Sequence, residues 1–152
     1  MAGALAALVA GGGTGAASAE TIRLKAAGSL KPAFTRLMAD FSIASGVGVE
    51  AEFGPSGTLR DKILAGTAAD VFASANMEHP QAVAAKRGGT AQTFTRNRLC
   101  ALTQPDLGLT PATLLQTMLD LGYRIAISTP GADPSGDYAM AVFDKAEAVV
   151  PG

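Results

Sequence analysis

FGPSGTLRDKILAGTAADVFASAN, residues 53–76, carries the end of one strand, a whole helix and a second strand in a short stretch. The strand is 47–53 (VGVEAEF), and it breaks at Gly54, Pro55, Ser56 and Gly57. From 58 to 65 the apolar Leu59, Ile63 and Leu64 recur at helical spacing, and Gly66 supplies the stop. The apolar run 70–75 (DVFASA) reads as the next strand, and Ser74, Ala75 and Asn76 lead the chain into another helix. A strand, a joint of small residues and a helix form the unit from which the rest of the sequence is read.

Outward from this stretch the unit recurs. Upstream, 21–27 (TIRLKAA) alternates Ile22 and Leu24 with Arg23 and Lys25 as a strand does. Gly28 and Ser29 open a helix whose Leu30, Phe34, Leu37, Met38 and Phe41 share one face, and Gly46 ends it. Downstream, a helix runs from Asn76 through Pro80 to Arg87 and stops at Gly88 and Gly89. A strand over 98–103, a Leu/Met-rich helix over 111–121 and a strand over 123–128 follow. A last helix from 135 to 150 sets Tyr138, Val142, Ala146 and Val149 on one side. This alternation predicts an α/β fold with mainly parallel sheets flanked by helices. In such sheets ligands bind beyond the carboxyl ends of the strands, which is where the joints at 27–29, 53–58, 74–76 and 128–136 fall. Helix starts gather unpaired N–H groups and the positive end of the helix dipole, so converging joints make a site for a small anion without Lys or Arg.

Composition sets bounds on function. With 152 residues, 48% of them hydrophobic, the chain has material for a core. Twelve basic and 13 acidic residues give a net charge of −1 with no block of one sign. Nucleic acid and anionic membrane surfaces call for clustered Lys and Arg and are disfavoured as partners. Residues 1–19 carry an apolar stretch that ends in Ala17, Ser18 and Ala19, the pattern of a secretory signal peptide cleaved after Ala19. Export is the expectation. Cys100 has no partner cysteine and reads as a buried apolar residue in its strand. The acidic residues are scattered without a metal-ligand cluster, and neither a P-loop nor a dinucleotide fingerprint is present, so no cofactor is expected.

GPSGT at 54–58 lacks the G-x-S-x-G spacing of a nucleophile elbow. His79, the sole histidine, reads as an exposed residue at a helix start, which leaves a serine triad short of its base. Taken singly, Ser29 and Ser56 read as plain helix caps worth about 1 kcal/mol each.

Four segments change that reading: AAGSL at 26–30, the stretch 53–76, RNRLCAL at 96–102 and PGADPSGDYA at 130–139. Together, and in order, they resemble the molybdate-binding periplasmic proteins of ABC uptake systems. The resemblance implies a two-lobed, type II periplasmic-binding-protein-like fold, with a first α/β lobe over 20–97 and a partial second lobe over 98–152. The sequence stops after a helix with no strand to follow, so the second lobe is expected to be incomplete, through truncation at the C-terminal end. The resemblance also implies a binding protein, not an enzyme, that is monomeric and delivers molybdate or tungstate to a membrane permease. Its ligand would be held by the hydroxyls and N–H groups of Ser29 and Ser56, by the N–H of Ala75, and by the N–H of Asp133. The Asp133 carboxylate would repel an oxyanion unless it turns away to cap the helix at Ser135 or Gly136. The alternatives are a receptor for another small anion or organic acid such as sulfate, and a secreted hydrolase using Ser56 or Ser135.

Overall fold

The computed structural model describes residues 20–149, so the leader expected over 1–19 lies outside the described residues. Strand β1 (Thr21–Ala27) is central in a parallel sheet of order β2-β1-β3. It pairs with β2 (Gly48–Gly54) from Thr21 opposite Gly48 to Ala27 opposite Gly54. On its other side it pairs with β3 (Val71–Ala73), Leu24 opposite Val71 and Ala26 opposite Ala73. Parallel neighbours need a crossover, and helices α1 (Lys31–Ser45) and α2 (Ser56–Leu64) supply the two. The backbone steps from β1 outward to β2, then crosses back over β1 to β3. That reversal puts the carboxyl ends of β1 and β3 side by side at a topological switch point, the favoured place for a ligand in such a sheet.

The core is small. Leu24, Ala26 and Ala73 are buried at its centre, with Leu30, Phe34 and Met38 packed on them and Val49 and Phe53 beside. Leu37 and Phe41, expected on the same face of α1, are exposed, because the sheet is only wide enough to cover the stripe through Phe34 and Met38. α1 closes at Gly46, whose φ of 72° is left-handed backbone that favours glycine; its N–H reaches the Ser42 carbonyl at 3.0 Å. Leu59 and Ile63 of α2 are buried, and α2 packs against β1 and α3 (Glu78–Arg87). Burying each of these two side chains is worth about 1.5–3 kcal/mol. At the start of β3 the Arg23 guanidinium grips the Asp70 carboxylate with two bonds of 2.8 and 2.9 Å. The contact holds the Asp70 carboxyl down at about 2.

Beyond residue 97 the structure corrects the sequence reading. The helix expected over 111–121 is only α4 (Leu114–Leu119), while the last one, α5 (Pro134–Val149), forms as expected. Residues 98–103 and 123–128 are not strands; the sheet of the described residues has three. Apolar alternation selects a face but does not provide the neighbouring backbone that a strand must bond. Neither run has such a neighbour, and Leu102 is 99% exposed. Cys100 is consequently exposed instead of buried. Tyr138, Val142 and Val149 on α5 are exposed as well. Among the described residues beyond 97, those fully buried are Pro134, Gly136 and Ala139, all in the first turns of α5.

Candidate functional site

Because the three strands are parallel, their carboxyl ends share one edge of the sheet, and the first three joints meet there. β1 leaves through a 3-10 turn, Gly28–Leu30, that carries Ser29. β2 leaves through Pro55, and α2 begins at Ser56 instead of Thr58. β3 leaves through Ser74, Ala75 and Asn76, where the Ser74 hydroxyl bonds the Asn76 side chain at 3.1 Å and accepts the Asn76 N–H at 3.2 Å.

The fourth joint comes from the other half of the sequence. Residues 130–132 lie against the start of α2, and the Gly57 N–H donates to the Ala132 carbonyl at 3.0 Å. The approach is so close that a Cβ on Gly57 would strike the Gly131 carbonyl oxygen and sit 2.9 Å from that of Ala132. Behind this loop the start of α5 is buried at Pro134 and Gly136, and a Cβ on Gly136 would strike the Ser128 carbonyl oxygen.

A cavity of about 510 Å³ opens between these joints, and Ser29, Ser56, Ala75 and Asp133 all line it. A larger cleft of about 830 Å³ shares Ser29 and Ala75 and runs on along residues 90–97. Both volumes are of the size that holds small molecules.

The four residues differ in what they offer. Ser29 is exposed and its side chain has no hydrogen bond among the described residues, so its hydroxyl is free to turn toward a ligand. Ser56 is fully buried, and it is not a helix cap: its Oγ accepts the Ala75 N–H at 3.1 Å. A hydroxyl has one proton to donate. With Ala75 on the accepting side and no acceptor among the described residues, that proton is available to the cavity. The Ala75 N–H is thereby committed to Ser56, and the Asp133 N–H donates to the Thr129 carbonyl at 3.0 Å. In this arrangement the cavity therefore offers two hydroxyls, and of its four expected backbone donors those of Ala75 and Asp133 are already engaged.

The Asp133 carboxylate turns back as its sequence context suggests. Oδ1 accepts the Ser135 N–H at 2.9 Å and lies 2.8 Å from the Ser135 hydroxyl. The charge is thus spent on the first turn of α5, where the helix dipole favours an anion.

Three lining residues were missed by the sequence reading: Asn97, Arg98 and Tyr138. Arg98 brings a cation to a site expected to have none. The segment RNRLCAL points to this region by resemblance, but no local pattern says that an exposed arginine will meet distant strand ends.

His79 corrects another expectation. It is 2% exposed, in the first turn of α3 with its ring against Arg60 of α2. Arg60 Nη1 lies 3.1 Å from Nδ1. A guanidinium only donates, so Nδ1 accepts and Nε2 carries the proton, without a partner among the described residues. Burial, and then the Arg60 charge, lowers the His79 pKa, against smaller opposing effects of Glu78, Asp137 and Asp61. Neither ring nitrogen meets Ser56 or Ser135, whose oxygens bond Ala75, Ser128 and Asp133 instead. The described residues include no group of three or more His, Cys, Asp or Glu that could hold a metal ion. No helix among them is long and apolar enough to cross a membrane.

Residues 22–151 match the family of bacterial extracellular solute-binding proteins. An uncharacterized protein of Pasteurella multocida (strain Pm70) is 37% identical over 129 residues, which cover 83% of this chain and 53% of that protein. The molybdate-binding protein ModA of Escherichia coli (strain K12) is 32% identical over 132 residues, 82% of this chain and 51% of that protein. A solved substrate binding domain from Clostridium difficile is 24% identical, with a TM-score of 0.44 over 45% of this chain and 31% of that one. The chain spans about half the length of the curated relatives it matches.

Proposed function

The chain belongs to the bacterial extracellular solute-binding proteins, receptors and not enzymes, and from that premise we propose that it binds a tetrahedral oxyanion, molybdate or tungstate. In this reading it is exported to the periplasm, works as a monomer and delivers its ligand to an ABC permease in the inner membrane. The observation that carries the reading is the convergence of Ser29, Ser56, Ala75 and Asp133, distant in sequence, on one cavity at the sheet's carboxyl edge. The similarity to a molybdate-binding protein supports the choice of ligand.

The chemistry is consistent with a dianion. Ser29 and Ser56 supply neutral O–H donors, and bonds to an ionised acceptor are about twice as strong as neutral ones. Arg98 adds a positive charge at the rim, and the one lining carboxylate is tied to Ser135. Binding would let the Ala75 and Asp133 N–H groups exchange their present acceptors for the charged ligand.

A thermal-shift panel of molybdate, tungstate, sulfate, phosphate and small organic acids tests the proposal, run on the protein and its Ser29→Ala and Ser56→Ala variants. A ligand at 100 times its Kd stabilises the fold by about 2.7 kcal/mol. Molybdate and tungstate are expected to do so. Each serine replacement is expected to weaken them about 10- to 100-fold, the worth of a hydrogen bond to a charged partner. Ser29→Ala is the cleaner variant, because an exposed, unbonded hydroxyl leaves stability within about 0.5 kcal/mol when removed. Stabilisation by sulfate or an organic acid alone would reassign the ligand; unaltered affinity in both variants would remove the serines from the site.

A further inference from the structure

Tyr138 stands in the second turn of α5, and its hydroxyl donates to the Ala75 carbonyl at 3.1 Å, across 63 positions of sequence. Ala75 is the residue whose N–H is held by the buried Ser56 hydroxyl, also at 3.1 Å. One residue of the β3 joint is therefore gripped from both sides: from α2 through its N–H and from α5 through its C=O. Tyr138 lines both clefts that meet at this point, and it is 41% exposed.

The rest of the contact shows what the grip does. Nearby, the Gly57 N–H to Ala132 carbonyl bond holds the loop before α5 onto the start of α2. This bond fixes the loop against α2 but does not reach β3. The Tyr138 hydroxyl is the bond described that ties α5 to the β3 joint.

We propose that Tyr138 is a positioning residue for the ligand site. By holding the Ala75 carbonyl, it anchors the residue whose N–H bonds the Ser56 hydroxyl, and so steadies where the Ser56 proton points. It also latches α5 against the first half of the sequence, so that ligand leaves only after the latch opens. The consequence for affinity rests on the oxyanion reading above, whereas the latch itself does not.

Two measurements on the protein and its Tyr138→Phe variant separate these claims. Phenylalanine keeps the ring and removes only the O–H. The first is amide hydrogen exchange without ligand. The latch predicts faster exchange at Ala75 and over residues 130–139 in the variant, with the amides of β1 and α1 unchanged; identical exchange at Ala75 overturns the proposal whatever the protein binds. The second is molybdate binding by calorimetry and stopped flow. Affinity is expected to fall about 5- to 10-fold, the equivalent of one neutral hydrogen bond, and to fall through faster dissociation. Because Tyr138 acts through Ala75 and Ser56, its effect is expected to shrink in a Ser56→Ala background. Equal affinity, or full additivity with Ser56→Ala, overturns the positioning role. Faster exchange at Ala75 in a protein that binds no oxyanion would support the latch and refute the ligand.

Discussion

At the scale of single residues, burial decides what each polar group can do. Ser29 and Ser56 have the same side chain, yet one is exposed and unbonded and the other is buried with an acceptor position filled by Ala75. The first is free to turn, and the second is held in one orientation. His79 shows burial acting on a titratable group. Its folded pKa lies below the ordinary value of about 6.5, chiefly through burial and then the Arg60 charge. The unfolded protein takes up this proton as pH falls through about 6.5, and the folded protein does so only at lower pH. The contribution is thus fully present above about 6.5 and is lost as pH falls toward the folded pKa. One proton bounds the slope at about 1.4 kcal/mol per pH unit. Urea melts between pH 7 and pH 5 are expected to show a smaller loss of stability for His79→Gln than for the unaltered protein; parallel slopes would mean that His79 titrates alike in both states.

Among the elements, the contact between the start of α2 and the 130–132 loop joins the two halves of the sequence. Gly57 sits inside a helix, where alanine is intrinsically better by about 1 kcal/mol. If helix propensity governed this position, Gly57→Ala would stabilise the protein. The Gly131 and Ala132 carbonyls leave no room for a methyl group, and relieving that overlap costs about 1–3 kcal/mol. A denaturant melt is therefore expected to show Gly57→Ala destabilised, and a stabilised variant would contradict the contact. The elements that were legible are the ones with local signals. β1, α1, β2 and α2 follow from alternation, helical spacing and stops such as Gly46, and their joints follow from glycine, serine and proline. Residues 98–103 and 123–128 alternate as well, but a strand is made by its neighbour, and no local pattern reveals whether that neighbour is there. The exposed Leu37 and Phe41 have the same cause, since a helix's stripe does not state how wide the sheet beneath it is.

For the whole molecule, the sheet order β2-β1-β3 turns a set of joints into a site. Glycine- and serine-rich turns can be read one at a time, and their grouping on one edge follows from all strands being parallel. That Ser29, Ser56 and Ala75 line one cavity was legible for that reason, whereas Asp133 joins them from a loop that follows no strand and was pointed to by family resemblance. Arg98, Tyr138 and the buried state of His79 were not legible, because each depends on contacts between parts distant in sequence. The division into lobes at 97 and 98 stays an expectation of the sequence. That a tetrahedral oxyanion sits among the four joints is our proposal. It is tested most directly by crystals grown with tungstate, whose tungsten atom scatters anomalously and can be located without reference to the protein coordinates. One strong peak is expected, with the oxygens around it within hydrogen-bond reach of the Ser29 and Ser56 hydroxyls. A peak elsewhere on the molecule, or none at saturating tungstate, would contradict it.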